Sequence, residues 1–549
     1  MLPFYTQPRG NASIRVSPFP ACARDGGNRG GQCAPAWRNR LYKRARLWLN
    51  SRVSTGDGRD GKVRSVILKG ELGGNLAGLS LPRQIVTIAL WPLLEQVMSF
   101  ICSCNTVILS NNLGTTPEQT TQIAAGMGVV SYVMWMGFLM QGSVAMGATA
   151  IVSRMTGARR FGEANYAANQ SATMGLMAGI VSALLMYFAT DYLIVDFLGL
   201  VGYAQEVAIR FMRIGCLAAI FSGVTFAVNA ALRGAGDTRT PFFVMLSMDG
   251  LQVVFSLILT QCFGMDIEGL AWGMILAMAV TAAFLVGLLV RRTMRIKRSM
   301  GACTDLDEFA RSVSATFVPP IFLRLHSLVP QWDMVYRIVC IGFPQAVEVC
   351  GVWLVQIYVM RIISSLGDAA VGAHNIAIRI ESLSFLPGFA VGIASATLVG
   401  QYLGARNPRM AVATVWKCTG YALLFMGLMG VVFFAFPEIF IYPFAAGSQA
   451  LVDTARPVVQ LFLIAEPVYA TMMLFKTSLR GAGDTRRVMY VTYTCMGIFR
   501  FVVLFLWNRY CPESITLVGI WSLFVLDMAI QSVILYRLVT GLKWTRKKV

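Results

Sequence analysis

Apolar residues come in uninterrupted runs about as long as a membrane is thick, and polar residues gather between them. A hydrocarbon core of roughly 30 Å needs about 20 residues of helix to cross it. Runs of this kind cover 84–110, 122–147, 166–190, 206–231, 241–262, 267–290, 338–364, 370–400, 411–436, 457–478, 488–507 and 516–538. The pattern predicts an all-α polytopic membrane protein of about twelve transmembrane helices. Composition agrees, with 56% of residues hydrophobic and only 13% charged, against roughly 25% charged in soluble domains.

The spans divide into two sets of six because the chain repeats itself. LRGAGDTR begins at Leu232 and again at Leu479, 247 positions later. GATAIVSRMTGAR (Gly147 to Arg159) corresponds to ASATLVGQYLGAR (Ala394 to Arg406) at the same offset. Two motifs at one spacing imply a tandem duplication, a common construction among transporters. The expected organisation is a basic N-terminal extension over 1–80, a six-helix lobe over 81–290, a cytosolic linker over 291–336, a second lobe over 337–540 and a basic tail over 541–549.

The net charge of +20 raises nucleic acid as a partner, but its distribution argues otherwise. Residues 1–70 hold 14 Lys and Arg against three Asp. Most of the other basic residues outside the spans follow even-numbered spans: Arg154, Arg159 and Arg160; Arg233 and Arg239; Arg291, Arg292, Arg295, Lys297 and Arg298; Arg406 and Arg409; Arg480, Arg486 and Arg487; Lys543, Arg546, Lys547 and Lys548. The loops after odd-numbered spans, such as Asn111 to Thr121, Asp191 to Glu206 and Pro437 to Thr454, contain none, with Arg509 the visible exception. The positive-inside rule therefore puts both termini and the central linker in the cytosol or its organellar equivalent. Six is even, so both halves share one orientation and are expected to be related by an axis along the membrane normal. The extension itself reads either as an organelle transit peptide or as a disordered tail, and Arg38 to Asn50 as a basic amphipathic helix on anionic lipid.

The residues that make up the repeats also resemble a known family. LRGAGDTRTP (Leu232 to Pro241), its copy at Leu479 and the run Ala369 to Pro408 are similar to the multidrug and toxic compound extrusion family, the MATE antiporters, in its bacterial-type branch. The resemblance extends over residues 80–540. It implies a two-lobe exporter that exchanges organic, often cationic, compounds for protons or sodium, with no cofactor beyond the coupling ion. Organic-anion export and lipid-linked oligosaccharide flipping, the latter wanting a basic cavity, are the alternatives on the same fold. The expected partners are a small organic substrate and membrane lipid, with no nucleic acid, and the protein is expected to be a monomer.

Chemistry is expected at carboxylates inside the spans, where charge is costly and marks ion or proton sites. Six qualify: Glu95, Asp249, Glu348, Glu381, Glu466 and Asp527. Glu95 and Glu348 each follow a proline early in the first helix of their half, in PLLE and PQAVE, which suggests equivalent positions. The resemblance implies that Glu348, Glu381 and Glu466 form the cation or proton site of the C-terminal lobe. A structural ion pair is the competing reading, most plausible for Glu381 beside Arg379. Where many relatives place an aspartate in the first helix, this chain has Asn105 before Thr106, and Asn cannot titrate.

The octapeptides read as cytosolic hinges. Gly234, Gly236, Gly481 and Gly483 free the chain to turn, Thr240 caps the next helix, and Asp237 and Asp484 pair with flanking arginines. Lys476 replaces the Asn229 of the first half and is expected to snorkel to the interface. His374 is expected to hold a structural hydrogen bond. No repeated CxxC, Walker loop, zincin motif or serine elbow occurs, so no metal is argued and ATP-driven pumping and hydrolysis are disfavoured. A non-transporting receptor would not account for two matching halves.

Overall fold

A computed structural model describes residues 72–547 apart from 112, 114–115, 198–200, 301–304, 314–317 and 446–447. The transit-peptide and amphipathic-helix readings of the extension therefore lie outside the described residues.

Among the described residues, twelve long helical spans follow one another. The first six are α1 (Leu81–Asn111), α2 (Pro117–Gly157), α3 (Phe161–Asp191), α4 (Gly202–Gly215 with Ala218–Gly234), α5 (Arg239–Leu257) and α6 (Ile267–Met300). The second six are α7 (Trp332–Ser365), α8 (Asp368–Gly404), α9 (Pro408–Ala435), α10 (Gln449–Gly481), α11 (Thr485–Cys495 running on through Met496–Val503 to Leu504–Tyr510) and α12 (Leu517–Thr540). Ten are long and apolar enough to cross a membrane, and the two pieces of α4, bent by 54°, make an eleventh. The 41-residue α2 is the twelfth. Most helices outrun the apolar windows read from sequence, because Thr116 and Asn407 cap α2 and α9 with their side chains and let polar end-turns stay helical.

Besides the π-type turns that end α3 (Tyr192–Phe197) and α5 (Ile258–Cys262), two helices depart from a simple rod along their length. The span expected as one helix over 206–231 breaks after Gly215, at Cys216 and Leu217. Helix α11 loosens into a wider π-type turn over Met496–Val503, a deformation often found where a side chain must be re-aimed; here it carries Arg500.

The extension assigned to 1–80 is packed at its described end. Leu72 and Leu76 are buried in the same apolar cluster as Ile85, Leu398 and Trp544. Gln84 ties this segment down by donating to the carbonyls of Leu76 and Leu79 and accepting from Tyr402 Oη. The basic tail is anchored as well: Trp544 is 1% exposed and donates to the Val539 carbonyl at 2.9 Å.

The lobes meet where the repeat motifs GATAIVSRMTGAR and ASATLVGQYLGAR cross. A Cβ on Gly157 would stand 1.9 Å from the Gln401 carbonyl oxygen, and one on its repeat mate Gly404 would stand 2.0 Å from the Arg154 carbonyl oxygen. Only glycine permits that approach. Arg154 Nη1 then donates to the Ala482 carbonyl at 3.5 Å, and Gln401, its own repeat mate, donates to the Gly234 carbonyl at 2.9 Å. Each half thus grips the other half's octapeptide. These contacts lie at the basic ends of the helices, where the two lobes close on each other.

Candidate functional site: buried charge in two lobes

The octapeptides place their first arginine inside the lobe. Gly234 and Gly481 let the ends of α4 and α10 press on Thr149 and Ala396, where a Cβ would approach backbone to 3.0 and 2.4 Å. Gly236 and Gly483 turn with φ of 91° and 81°. The aspartates do not hold the arginines of their own octapeptides, as sequence reading expected. Asp237 accepts from Thr240 N at 3.0 Å and Thr240 Oγ1 at 2.7 Å, so Asp237 rather than Thr240 caps the next helix. Its cation is Arg292, at 3.0 Å from the end of α6. Asp484 is held by Lys547 at 2.8 Å, beyond α12, and by Arg487 at 3.2 Å, just outside its octapeptide. A basic residue within the last third of the sixth helix latches the hinge in the first half, and one beyond the sixth helix does so in the second.

The freed arginines reach the glutamates of the first helices. Arg233 stands 2.5 Å from Glu95, and Arg480 stands 2.9 Å from Glu348. The two pairs are repeat equivalents, and all four side chains are largely buried, at 18% and 5% exposure in one pair and 17% and 4% in the other. The ion pair expected at Glu381 is therefore found at Glu348. Arg379 is exposed and, among the described residues, forms no ion pair.

The halves differ around these pairs. In the second, Glu348 also accepts from Thr492 Oγ1 at 2.7 Å and faces Lys476 Nζ at 3.9 Å. Lys476 is only 9% exposed, which corrects the expectation that it snorkels: the Glu348 carboxylate draws it inward. In the first half the equivalent Asn229 is 1% exposed and its amide has no hydrogen-bond partner, nor does Glu95 Oε2. Asp249, 6% exposed, accepts from Ser99 at 2.7 Å and has no cation beside it among the described residues.

Deeper in the C-terminal lobe, Asp527 is fully buried and held by Arg500 Nε at 2.7 Å and Gln531 at 2.8 Å. Arg500 escaped the sequence reading, which searched the spans for acids and not for their counter-charges. Glu466, 1% exposed, accepts from the Ser384 hydroxyl, while its Oε1 has no partner. Glu381 is half-buried and is the electrostatic neighbour of Glu466 and of Arg500. Lys476 feels Glu348, Arg480, Asp527 and Arg500 together, joining the clusters. Four carboxyl groups here share three cations; among the described residues Glu381 and Glu466 are the two without a direct ionic contact, and Glu466 is the more deeply buried.

The expected site residue Asn105 and the histidine expected to be structural are both set apart. Asn105 is exposed and donates to the Ile101 carbonyl one turn back in α1 at 3.0 Å. His374, 1% exposed, has no hydrogen-bond partner on either ring nitrogen and packs against Trp521 at 5.6 Å between centroids; the structural hydrogen bond expected of it is not made.

Comparison with known proteins places this arrangement. The MatE family model matches residues 93–258 and 344–506, one match in each half. The chain belongs to the MatE family. It is therefore an integral membrane protein of a transporter family. A probable multidrug resistance protein NorM of Thermotoga maritima is 27% identical over 432 residues, covering 77% of this chain and 86% of the relative. An uncharacterized transporter, YisQ of Bacillus subtilis, is 22% identical over 460 residues, covering 83% and 94%. Among solved structures, a MOP superfamily transporter from Pyrococcus furiosus, described as having a binding pocket of reverse polarity, superposes with a TM-score of 0.72 at 18% identity, covering 86% of this chain and 98% of that one. A multidrug resistance MATE family transporter in an outward-facing conformation gives a TM-score of 0.71 at 19% identity, covering 85% and 97%. These structural likenesses bear out the two-lobe, twelve-helix MatE fold.

Proposed function

We propose that this MatE chain is a secondary antiporter that exports organic cations in exchange for protons by alternating access. The observation that carries the reading is Glu466: a carboxyl 1% exposed, with a hydroxyl for a partner and no cation in contact. An unmatched buried charge is costly, so four carboxyls among three cations favour one bound proton.

The position of Glu466 ties that proton to helix geometry. Glu466 precedes Pro467 in α10, and Ser384 lies one turn before Pro387 in α8. Each proline removes a backbone hydrogen bond and weakens its helix at that point. The Ser384–Glu466 bond spans the two weakened helices, and a bond to a carboxylate is roughly twice as strong as one to a neutral acid. Proton gain and loss then alter the link between the helices. The ion drives the cycle through unequal affinity for the two states.

Export of organic compounds is supported by relatives named for multidrug resistance. A cationic substrate is favoured over the anion-export and flippase alternatives because Lys476, Arg480 and Arg500 each face a carboxylate. The test is uptake of a cationic dye into inside-out vesicles under an imposed proton gradient and then a sodium gradient. The proton gradient alone is expected to drive it; a response to sodium alone would overturn the proton assignment, and a response to neither the antiport reading.

A further inference from the structure

At the cytosolic ends of α5 and α6 a groove of about 170 Å³ opens on the outer surface of the N-terminal lobe. It is lined by Arg239, Thr240, Phe243, Val244, Phe284 and Leu288. The apolar walls face outward, with Phe243 45% and Phe284 50% exposed. One end is basic. The Arg239 guanidinium lies 5.4 Å from the centre of the Trp91 ring and 5.7 Å from that of Phe243, and among the described residues it has no carboxylate partner. This distinguishes it from Arg233 and Arg292, which hold Glu95 and Asp237.

The same end of the groove is tied to the octapeptide hinge through Thr240. Arg292 donates through Nη2 to Thr240 Oγ1, a wall of the groove, at 2.7 Å, while its Nη1 is buried and has no hydrogen-bond partner.

We propose that this groove is a binding site for an anionic phospholipid of the cytosolic leaflet. The phosphodiester lies against Arg239, and one acyl chain runs between Phe243 and Phe284 toward Leu288. The depth fits: the hinge carrying Arg239 marks the cytosolic interface, and phosphates lie at that level with acyl chains directed inward. The chemistry fits too, since guanidinium groups on aromatic faces present planar donors to phosphate oxygens. A lipid at this position would brace the first octapeptide hinge through Arg292, Thr240 and Asp237.

The test uses the full chain in nanodiscs of equal phosphatidylglycerol and phosphatidylcholine, with retained lipid read by native mass spectrometry. The wild type is expected to retain phosphatidylglycerol about fivefold over phosphatidylcholine, the factor that ~1 kcal/mol per basic residue at an anionic surface gives. Arg239→Gln is expected to bring the ratio to about one, and Arg239→Lys to keep most of it. Leu288→Trp, which fills the groove and leaves the charges alone, is expected to lower it as well, so the proposal does not depend on one variant folding. Arg210→Gln, on the exposed opposite end and already paired with Glu206, serves as the control and should change nothing. No preference in the wild type, an unchanged ratio in Arg239→Gln and Leu288→Trp, or equal thermal stabilisation by soluble glycerol phosphate would overturn the assignment. None of these readouts depends on transport.

Discussion

Arg480 Nη2 lies 2.9 Å from Glu348 Oε2, and the same contact is made in the other half by Arg233 and Glu95 at 2.5 Å. The first arginine of each octapeptide thereby ties the hinge to the helix that opens its lobe. Removing one member of a buried pair strands the other, at a cost of about 3–5 kcal/mol. Arg480→Gln is expected to lose about 3 kcal/mol, the lower end, because Lys476 still faces Glu348. Thermal unfolding in detergent measures this. The double variant Arg480→Gln with Glu348→Gln should recover part of the loss, and equal melting of single variant and wild type would remove the pair from the account of stability.

Glu466 and Glu348 are expected to respond differently to the same chemical change. Glu466→Gln deletes a titrating group that has no cation partner, so the protein should fold, exchange substrate for substrate across the membrane, and lose gradient-driven export by about tenfold or more, the driving force no longer distinguishing two states. Its substrate exchange should also be insensitive to pH. Glu348→Gln strands Arg480 and Lys476 and should act first on stability. Vesicle transport at matched expression separates them; a pH-dependent, gradient-driven Glu466→Gln protein would return the proton to Glu381, Glu348 or Asp249.

The crossing of Gly157 and Gly404 closes the lobes on each other at the basic ends of their helices. A methyl group on Gly404 would overlap the Arg154 carbonyl oxygen at 2.0 Å, and neither partner is a side chain that can move aside. Gly404→Ala should therefore disfavour the closed state and leave each lobe intact. The readout is Ser153→Cys, a position fully buried at the crossing, labelled from the cytosolic side with a membrane-impermeant maleimide. Labelling is expected to be faster by about tenfold in the Gly404→Ala background, equivalent to ~1.4 kcal/mol of conformational bias. An unchanged rate would mean that the crossing is not a gate.

The repeat made much of this legible in advance. Two motifs at one offset and apolar runs of membrane length were enough for the lobes and the helix count, because both signals are local and periodic. The ion pairs were not legible in the same way: Arg233 and Glu95 are 138 residues apart, and nothing local joins them. A signal did exist, since Glu95 and Arg233 recur together as Glu348 and Arg480, and charges that recur as a pair in a low-dielectric medium are candidates to neutralise each other. Arg500 was missed for a related reason, that a buried acid implies a buried base. The inward turn of Lys476 defeated a rule of depth, which treats a lysine near a helix end as free to reach water and ignores a carboxylate 3.9 Å from its ammonium.

That lysine gives the last prediction, because the first half shows what the lobe is without it. Lys476→Asn restores the residue found at the equivalent Asn229, where Glu95 keeps its arginine alone. The variant is expected to fold, since Arg480 and Thr492 still hold Glu348. Four carboxyls would then share Arg480 and Arg500, and neutrality would require one more bound proton than in the wild type. That proton is held in the folded state and released on unfolding near neutral pH, where exposed carboxylates are ionised. The sign follows: the folded state binds more protons, so stability falls as pH rises, by up to ~1.4 kcal/mol per pH unit for one proton. Melting curves between pH 6 and 8 (roughly the range in which exposed carboxylates stay ionised) should show Lys476→Asn losing stability toward alkaline pH more steeply than the wild type. Parallel curves would mean that Lys476 does not neutralise the network, and the proton count behind the coupling scheme would have to be redrawn.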